Sequence, residues 1–143
     1  MDGRLKFLVV CAGNTCRSPM GAGLLLRIAA EQRRVIDVKS AGVAYNATRP
    51  VHPNAVAAMK QLCVDISHDS PKPVSAGLME WATHVICVQQ RHMEYLEEDY
   101  PQHVAKLACI ARDVADPVDR PFAAYCAARD ELDELLRSLW QSL

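Results

Sequence analysis

The feature that most narrows the fold lies at the start of the chain. An almost uninterrupted apolar run over residues 5–11 breaks into Ala12-Gly13-Asn14, and Pro19 follows at the head of a helix-patterned segment. A run without polar alternation is what a strand covered on both faces looks like. Proline favours the first turn of a helix, and residues 20–33 place Leu24, Leu25, Ile28 and Ala29 on one side. A doubly covered strand feeding directly into a helix needs further strand–helix units to bury it. The beginning of the chain therefore points to a parallel α/β architecture.

The rest of the sequence continues that alternation. A second short strand is expected at 35–39, closed by Ser40-Ala41-Gly42, and a loop over 43–53. A helix follows over 54–62, with Ala55, Ala58, Met59 and Leu62 on one face, then a proline-punctuated connector over 65–73. Further expectations are a helix near 75–81, a third strand at 84–88, helix to about residue 99 and a fourth strand at 104–110. The loop 111–120 leads into a helix over 121–143 whose stripe is Leu132, Leu135, Leu136, Leu139 and Leu143. At 143 residues this is one domain, 1–143, without repeats or a linker.

Bulk properties exclude several classes. A net charge of −1 gives no field to draw the chain to nucleic acid or an anionic membrane. The N-terminal apolar run is too short for a secretory segment or a span, so the expected location is cytoplasmic. In that reducing setting the six cysteines are not a disulfide framework, and Cys63, Cys87, Cys109 and Cys126 are expected in core or helical positions. Cys11 and Cys16 have no second ligand pair of matching spacing, so no metal site is expected.

Ligands of parallel α/β sheets bind at the carboxyl ends of strands, which directs attention to Cys11-Ala12-Gly13-Asn14-Thr15-Cys16-Arg17-Ser18. A strand-to-helix loop aims backbone N–H groups and the helix dipole at an anion. Gly13 permits unusual φ values and Asn14 tolerates the left-handed region, so the turn can wrap a tetrahedral oxyanion. Arg17 can add a planar fork to two oxygens. Cys11 opens the cradle where the helix N-terminus and Arg17 favour an anionic sulfur, and Ser18 can donate to it. Nucleophile, cradle and counter-charge thus fall within eight residues. Neither a Gly-Lys-Ser/Thr loop nor a Gly-x-Gly-x-x-Gly turn is present to compete.

VVCAGNTCRSPM, Ser40-Ala41-Gly42 and Asp116-Pro117, taken in order, resemble the low-molecular-weight protein tyrosine phosphatases along essentially the whole chain. The resemblance implies a four-stranded parallel sheet with helices on both faces, a three-layer, flavodoxin-like domain. It implies Cys11 as nucleophile, Arg17 as phosphoryl ligand and Asp116 as general acid. Ala12, Gly13, Asn14, Thr15, Cys16 and Ser18 would contact the substrate, with Ser40 and His68 in the supporting hydrogen-bond network. The substrates would be phosphorylated proteins, the state a monomer or weak dimer, and the chemistry would need no cofactor.

Thr15 bears on substrate choice. Tyrosine-directed members usually carry a bulkier apolar residue there, whereas the arginine-phosphatase branch looks like CxGNTCRSPM, and ARDELDELLRSL resembles that branch's tail. Phosphoarginine is therefore expected ahead of phosphotyrosine. Val118 departs from the aromatic residue usual after Asp-Pro and removes a pocket wall. Tyr45 is a candidate for the pocket mouth. A thioredoxin-coupled arsenate reductase shares the loop but needs two closely spaced relay cysteines, and only Cys87 lies in the right region. A non-enzymatic oxyanion-binding module would have no use for the nucleophile and acid. Within the loop, peroxide could join Cys16 to Cys11 as a protective disulfide.

Overall fold

In the computed structural model, which describes residues 3–143, the N-terminal unit is β1 (Lys6–Cys11) followed by α1 (Arg17–Glu31). Phe7, Leu8, Val9 and Val10 are all 0% exposed, so β1 is the spine of the sheet. Burial of such side chains contributes about 1.5–3 kcal/mol each. The remaining elements are β2 (Asp37–Gly42), α2 (Pro53–Lys60), α3 (Ala76–Trp81), β3 (His84–Cys87), α4 (Gln90–Asp99), β4 (Leu107–Cys109) and α5 (Phe122–Gln141). All four strands are parallel, in the order β2-β1-β3-β4. One core layer joins β1 to α1, α2 and α5, and the other joins the sheet to α3 and α4. The expected three-layer α/β domain is therefore present. Among the described residues no helix is long and apolar enough to cross a membrane.

Several boundaries differ from expectation for identifiable reasons. Helix α1 begins at Arg17, so Pro19 stands third, where its missing N–H would still have no intrahelical acceptor. The second strand lies later than 35–39. Arg33 ends the helical region at φ 55°, Val35 is 71% exposed, and Ser40, Ala41 and Gly42 pair with Val9, Val10 and Cys11. Ser40-Ala41-Gly42 is thus strand, not its closure. Residues 101–106 form a 3-10 helix, leaving only Leu107–Cys109 as β4. Cys63 is neither core nor helix: it is exposed at φ 60° and ends α2, while the N–H of Val64 returns to the carbonyl of Met59. Leu143 lies beyond α5 and is exposed, whereas Leu132, Leu135 and Leu136 are buried as the stripe requires.

Candidate active site

The order β2-β1-β3 puts the switch in winding direction beside β1, and the loop leaving β1 occupies the carboxyl edge there. Its shape depends on Asn14, which takes φ 60°; no glycine among the described residues has positive φ, so the expected special role of Gly13 belongs to Asn14. Asparagine tolerates this conformation when its amide bonds locally. Here Nδ2 donates to Ser18 Oγ and to Ser40 Oγ, both at 2.8 Å, while Oδ1 accepts from the backbone N–H of Lys72 at 2.9 Å. That last bond fixes which way the amide faces.

The network converges on sulfur. Ser18 Oγ already accepts from Asn14, and its own proton can point to Cys11 Sγ, 2.9 Å away. The N–H of Asn14 adds a second donor to the sulfur at 3.3 Å. An acceptor sulfur ringed by donors is the arrangement a thiolate needs. Gly42 lets β2 lie against this loop, because a Cβ there would run into the carbonyl of Ala12 and come within 2.9 Å of Gly13 C.

Arg17 is 1% exposed and is held from behind by neutral groups. One terminal nitrogen donates to Gln89 Oε1 at 2.6 Å and to the carbonyl of Val114 at 2.9 Å. The other terminal nitrogen lies 3.6 Å from Asp116 Oδ2. Asp116 is half-exposed, and its Oδ1 accepts from the N–H of Val118 across Pro117, an Asx-type turn. Neighbouring Asp113 instead accepts from the N–H of Gln90 at the start of α4.

Cys11, Asn14, Arg17, Ser18, Ser40 and Asp116 are thus brought together, with Ala12, Gly13, Thr15 and Cys16 completing the loop. His68 is not brought in. Its side chain is 91% exposed and faces Asp65 at 3.6 Å, and the backbone of Lys72 makes the contact to Asn14 instead. Burial pushes the Cys16 thiol up to about 11, with the Thr15 hydroxyl partly offsetting it. Thr15 and Val118 share a recess of about 290 Å³ with Arg49, Pro50, His52, Pro53 and Asp119. Tyr45 lies elsewhere, in a separate recess with Tyr95 and Tyr100. Sequence reasoning missed Gln89, Val114 and Lys72. Only Gln89, directly after a strand end, carried any signal; the other two act through backbone atoms.

Cys87 and Cys109 stand in register on adjacent strands. Cys87 is also in register with Val10, so it faces the α3/α4 layer, whereas Cys11 faces the other. In this structure the sheet therefore lies between these two cysteines and Cys11. Among the described residues no cluster of three or more His, Cys, Asp or Glu could hold a metal.

A thiol at the focus of an anion cradle, an aimed guanidinium and a nearby carboxyl on a four-stranded parallel sheet define a cysteine-dependent phosphatase. Residues 6–143 match the model of the low molecular weight phosphotyrosine protein phosphatase family, and the chain belongs to that family. It is 35% identical to the protein-arginine-phosphatase of Geobacillus stearothermophilus, covering 96% of this chain and 95% of that one. A YwlE arginine phosphatase mutant with a phosphorylated active-site serine superposes with a TM-score of 0.89 at 31% identity, over 97% and 95% of the two chains. The low molecular weight protein tyrosine phosphatase of T. tengcongensis superposes at 0.90 with 29% identity, over 97% and 99%.

Proposed function

We propose that this phosphatase removes phosphoryl groups from arginine side chains of proteins, through a phosphocysteine on Cys11. The observation that carries the mechanism is the convergence of Ser18 Oγ and the Asn14 N–H on Cys11 Sγ, beside the buried Arg17. The thiolate attacks phosphorus as the phosphorus–nitrogen bond breaks, and Asp116, as the acid, delivers a proton to the leaving guanidine nitrogen. Arg17 and the loop N–H groups of residues 12–17 hold the equatorial oxygens. Asp116, now a carboxylate, then takes a proton from water as it attacks the phosphocysteine, which frees inorganic phosphate and restores the thiolate. Ser18 stabilises the sulfur as it leaves. The cycle uses only these residues and water.

Two observations support phosphoarginine. Thr15 presents a small polar side chain at the recess it shares with Val118, and the first relative described above is named for that activity. Asp116 suits the same substrate, since giving up its proton leaves a carboxylate beside the departing guanidinium. The competing reading is phosphotyrosine, favoured by the likeness to the T. tengcongensis enzyme. In either case the protein acts on phosphorylated proteins in the cytoplasm, as a monomer or weak dimer. The deciding experiment measures kcat/KM on matched phosphoarginine and phosphotyrosine peptides, with Cys11→Ser as blank. Preference for phosphotyrosine would discard the substrate and keep the mechanism. No turnover of either by folded protein would discard both.

A further inference from the structure

Outside the site described above lies a recess of about 310 Å³, where Tyr45, Tyr95 and Tyr100 converge with Gly42, Pro73 and Val74. One wall is the chain leaving β2, and it is bonded to the start of the catalytic loop. The N–H of Val43 donates to the carbonyl of Cys11 at 3.0 Å, and that of Ala44 to the carbonyl of Ala12 at 2.8 Å. The recess shares no lining residue with the one that holds Thr15 and Val118.

The opposite wall comes from α4 and its end. Tyr95 is 46% exposed, and Tyr100 directly follows the last helical residue, Asp99. Asp99 stands four residues after Tyr95, hence on the same helix face, and its carboxylate raises the Tyr95 hydroxyl above the usual tyrosine value. Glu94, Glu97, Glu98 and Asp99 make the end of α4 acidic, and its last turn contains no basic residue. A helix C-terminus already carries partial negative charge and favours cations, so this end is negative twice over. No internal cation answers it. None of the lining residues is basic, and Lys72, next to Pro73, turns its ammonium to the carbonyl of Ser70. Among the described residues only Arg34 and Lys39 lie over aromatic rings, and those rings are Trp140 and Trp81. Open tyrosine faces in a negative surround suit a guanidinium, which stacks on the rings while its N–H groups reach the carboxylate.

We propose that this recess docks an unmodified arginine side chain of the protein substrate, close in sequence to the phosphorylated residue. This rests on the reading of the chain as a phosphatase of phosphorylated proteins. Lysine fits less well, because it has no plane to lay on the rings. Neither Cys11 nor Asp116 lines the recess, so it acts on substrate binding and not on the chemical step.

The test measures kcat and KM of the full chain on phosphopeptides that differ at one added residue: arginine, lysine, leucine or alanine. That residue is placed about two to six positions to either side of the phosphorylated one, the reach of an extended strand across the loop. Parallel sets carry phosphoarginine and phosphotyrosine. At the best spacing arginine should lower KM about three- to tenfold against alanine, with kcat unchanged and lysine in between. In Tyr95→Leu, and separately in Asp99→Asn, the ratio of kcat/KM between the arginine and alanine peptides should fall toward unity. Both positions are exposed, so both variants should fold. Arginine that gains nothing at any spacing overturns the proposal, and so does an equal gain from leucine, which would make the recess an apolar subsite. A ratio that survives both substitutions overturns it too, by placing the cation elsewhere. No turnover of any peptide by folded wild type sinks the reading as a protein phosphatase. Turnover without an arginine preference sinks only this inference.

Discussion

The loop 11–18 and the segment 110–121 both leave the carboxyl end of a strand and both reach Arg17, yet they are differently made. In the first, Cys11, Asn14, Cys16, Arg17 and Ser18 are all buried, and the Asn14 amide links the start of α1, β2 and the backbone of Lys72. In the second, Val114 and Pro117 are buried while Ala115, Asp116 and Asp119 stand in solvent, and the anchors lie before residue 115: the N–H groups of Ile110 and Val114 bond the carbonyls of Cys87 and Val88, the Val114 carbonyl accepts from Arg17, and Asp113 accepts from the N–H of Gln90. The difference fits the two tasks proposed for them. A cradle must meet oxygens at fixed positions before the reaction starts, so its donors are locked in advance. A group that gives a proton and later takes one must exchange with water, so its carboxyl stays accessible. The Arg17–Asp116 contact at 3.6 Å is where the two meet.

Breaking the fixed half should cost most. Cys11→Ser should lower kcat on a phosphopeptide by on the order of 10⁴-fold or more, because no side step bypasses the nucleophile. Circular dichroism would show whether the fold persists. Arg17→Lys keeps a charge but loses the planar fork and cannot satisfy Gln89 and Val114 together. A fall in kcat/KM of about 10²–10³-fold is expected, with weaker inhibition by orthovanadate as the check.

Asp116→Asn breaks the accessible half. It should reduce kcat by about 10²–10⁴-fold on substrates with a poor leaving group, and clearly less on an activated aryl phosphate. Equal losses on both would show that the carboxyl is not the proton donor. Removing the lock tests the other side of the comparison. Asn14→Ala strands Ser18, Ser40 and the Lys72 N–H and leaves alanine at positive φ. It should lower unfolding free energy by about 2–4 kcal/mol in a denaturant titration. The smallest effect expected is that of Val118→Tyr on the accessible loop. An added ring beside Thr15 should raise the phosphotyrosine-to-phosphoarginine ratio of kcat/KM by about two- to tenfold.

Buried His92 gives stability a pH dependence of its own, because burial lowers its imidazole to about 4. The folded ring titrates near 4 against 6.5 for a free one, so between these values the unfolded chain binds more protons. Stability should therefore decline as pH falls from about 6.5 to about 4, and His92→Phe should flatten that slope in melts recorded across the window.

What the sequence by itself determined is local. The apolar run of β1, the eight residues that follow and the helix that receives them are adjacent in the chain. Their chemistry is legible from residue type and spacing, as is the alternation that makes the sheet parallel. Asp116 was legible only through the family resemblance, since an Asp-Pro turn is otherwise common on surfaces. The tertiary structure decided everything that depends on register between distant segments. Gln89 and the Val114 carbonyl come to Arg17 from 72 and 97 residues away, and the Lys72 N–H comes to Asn14 from 58. Two of those groups are backbone atoms that every residue type offers equally. Strand parity shows the same limit: Cys87 is in register with Val10 and not Cys11, and that one-residue offset puts it on the other face of the sheet. His68 shows a related limit. A histidine's identity gives its chemistry, but only the path of the connector decides whether it faces the site or, as here, solvent.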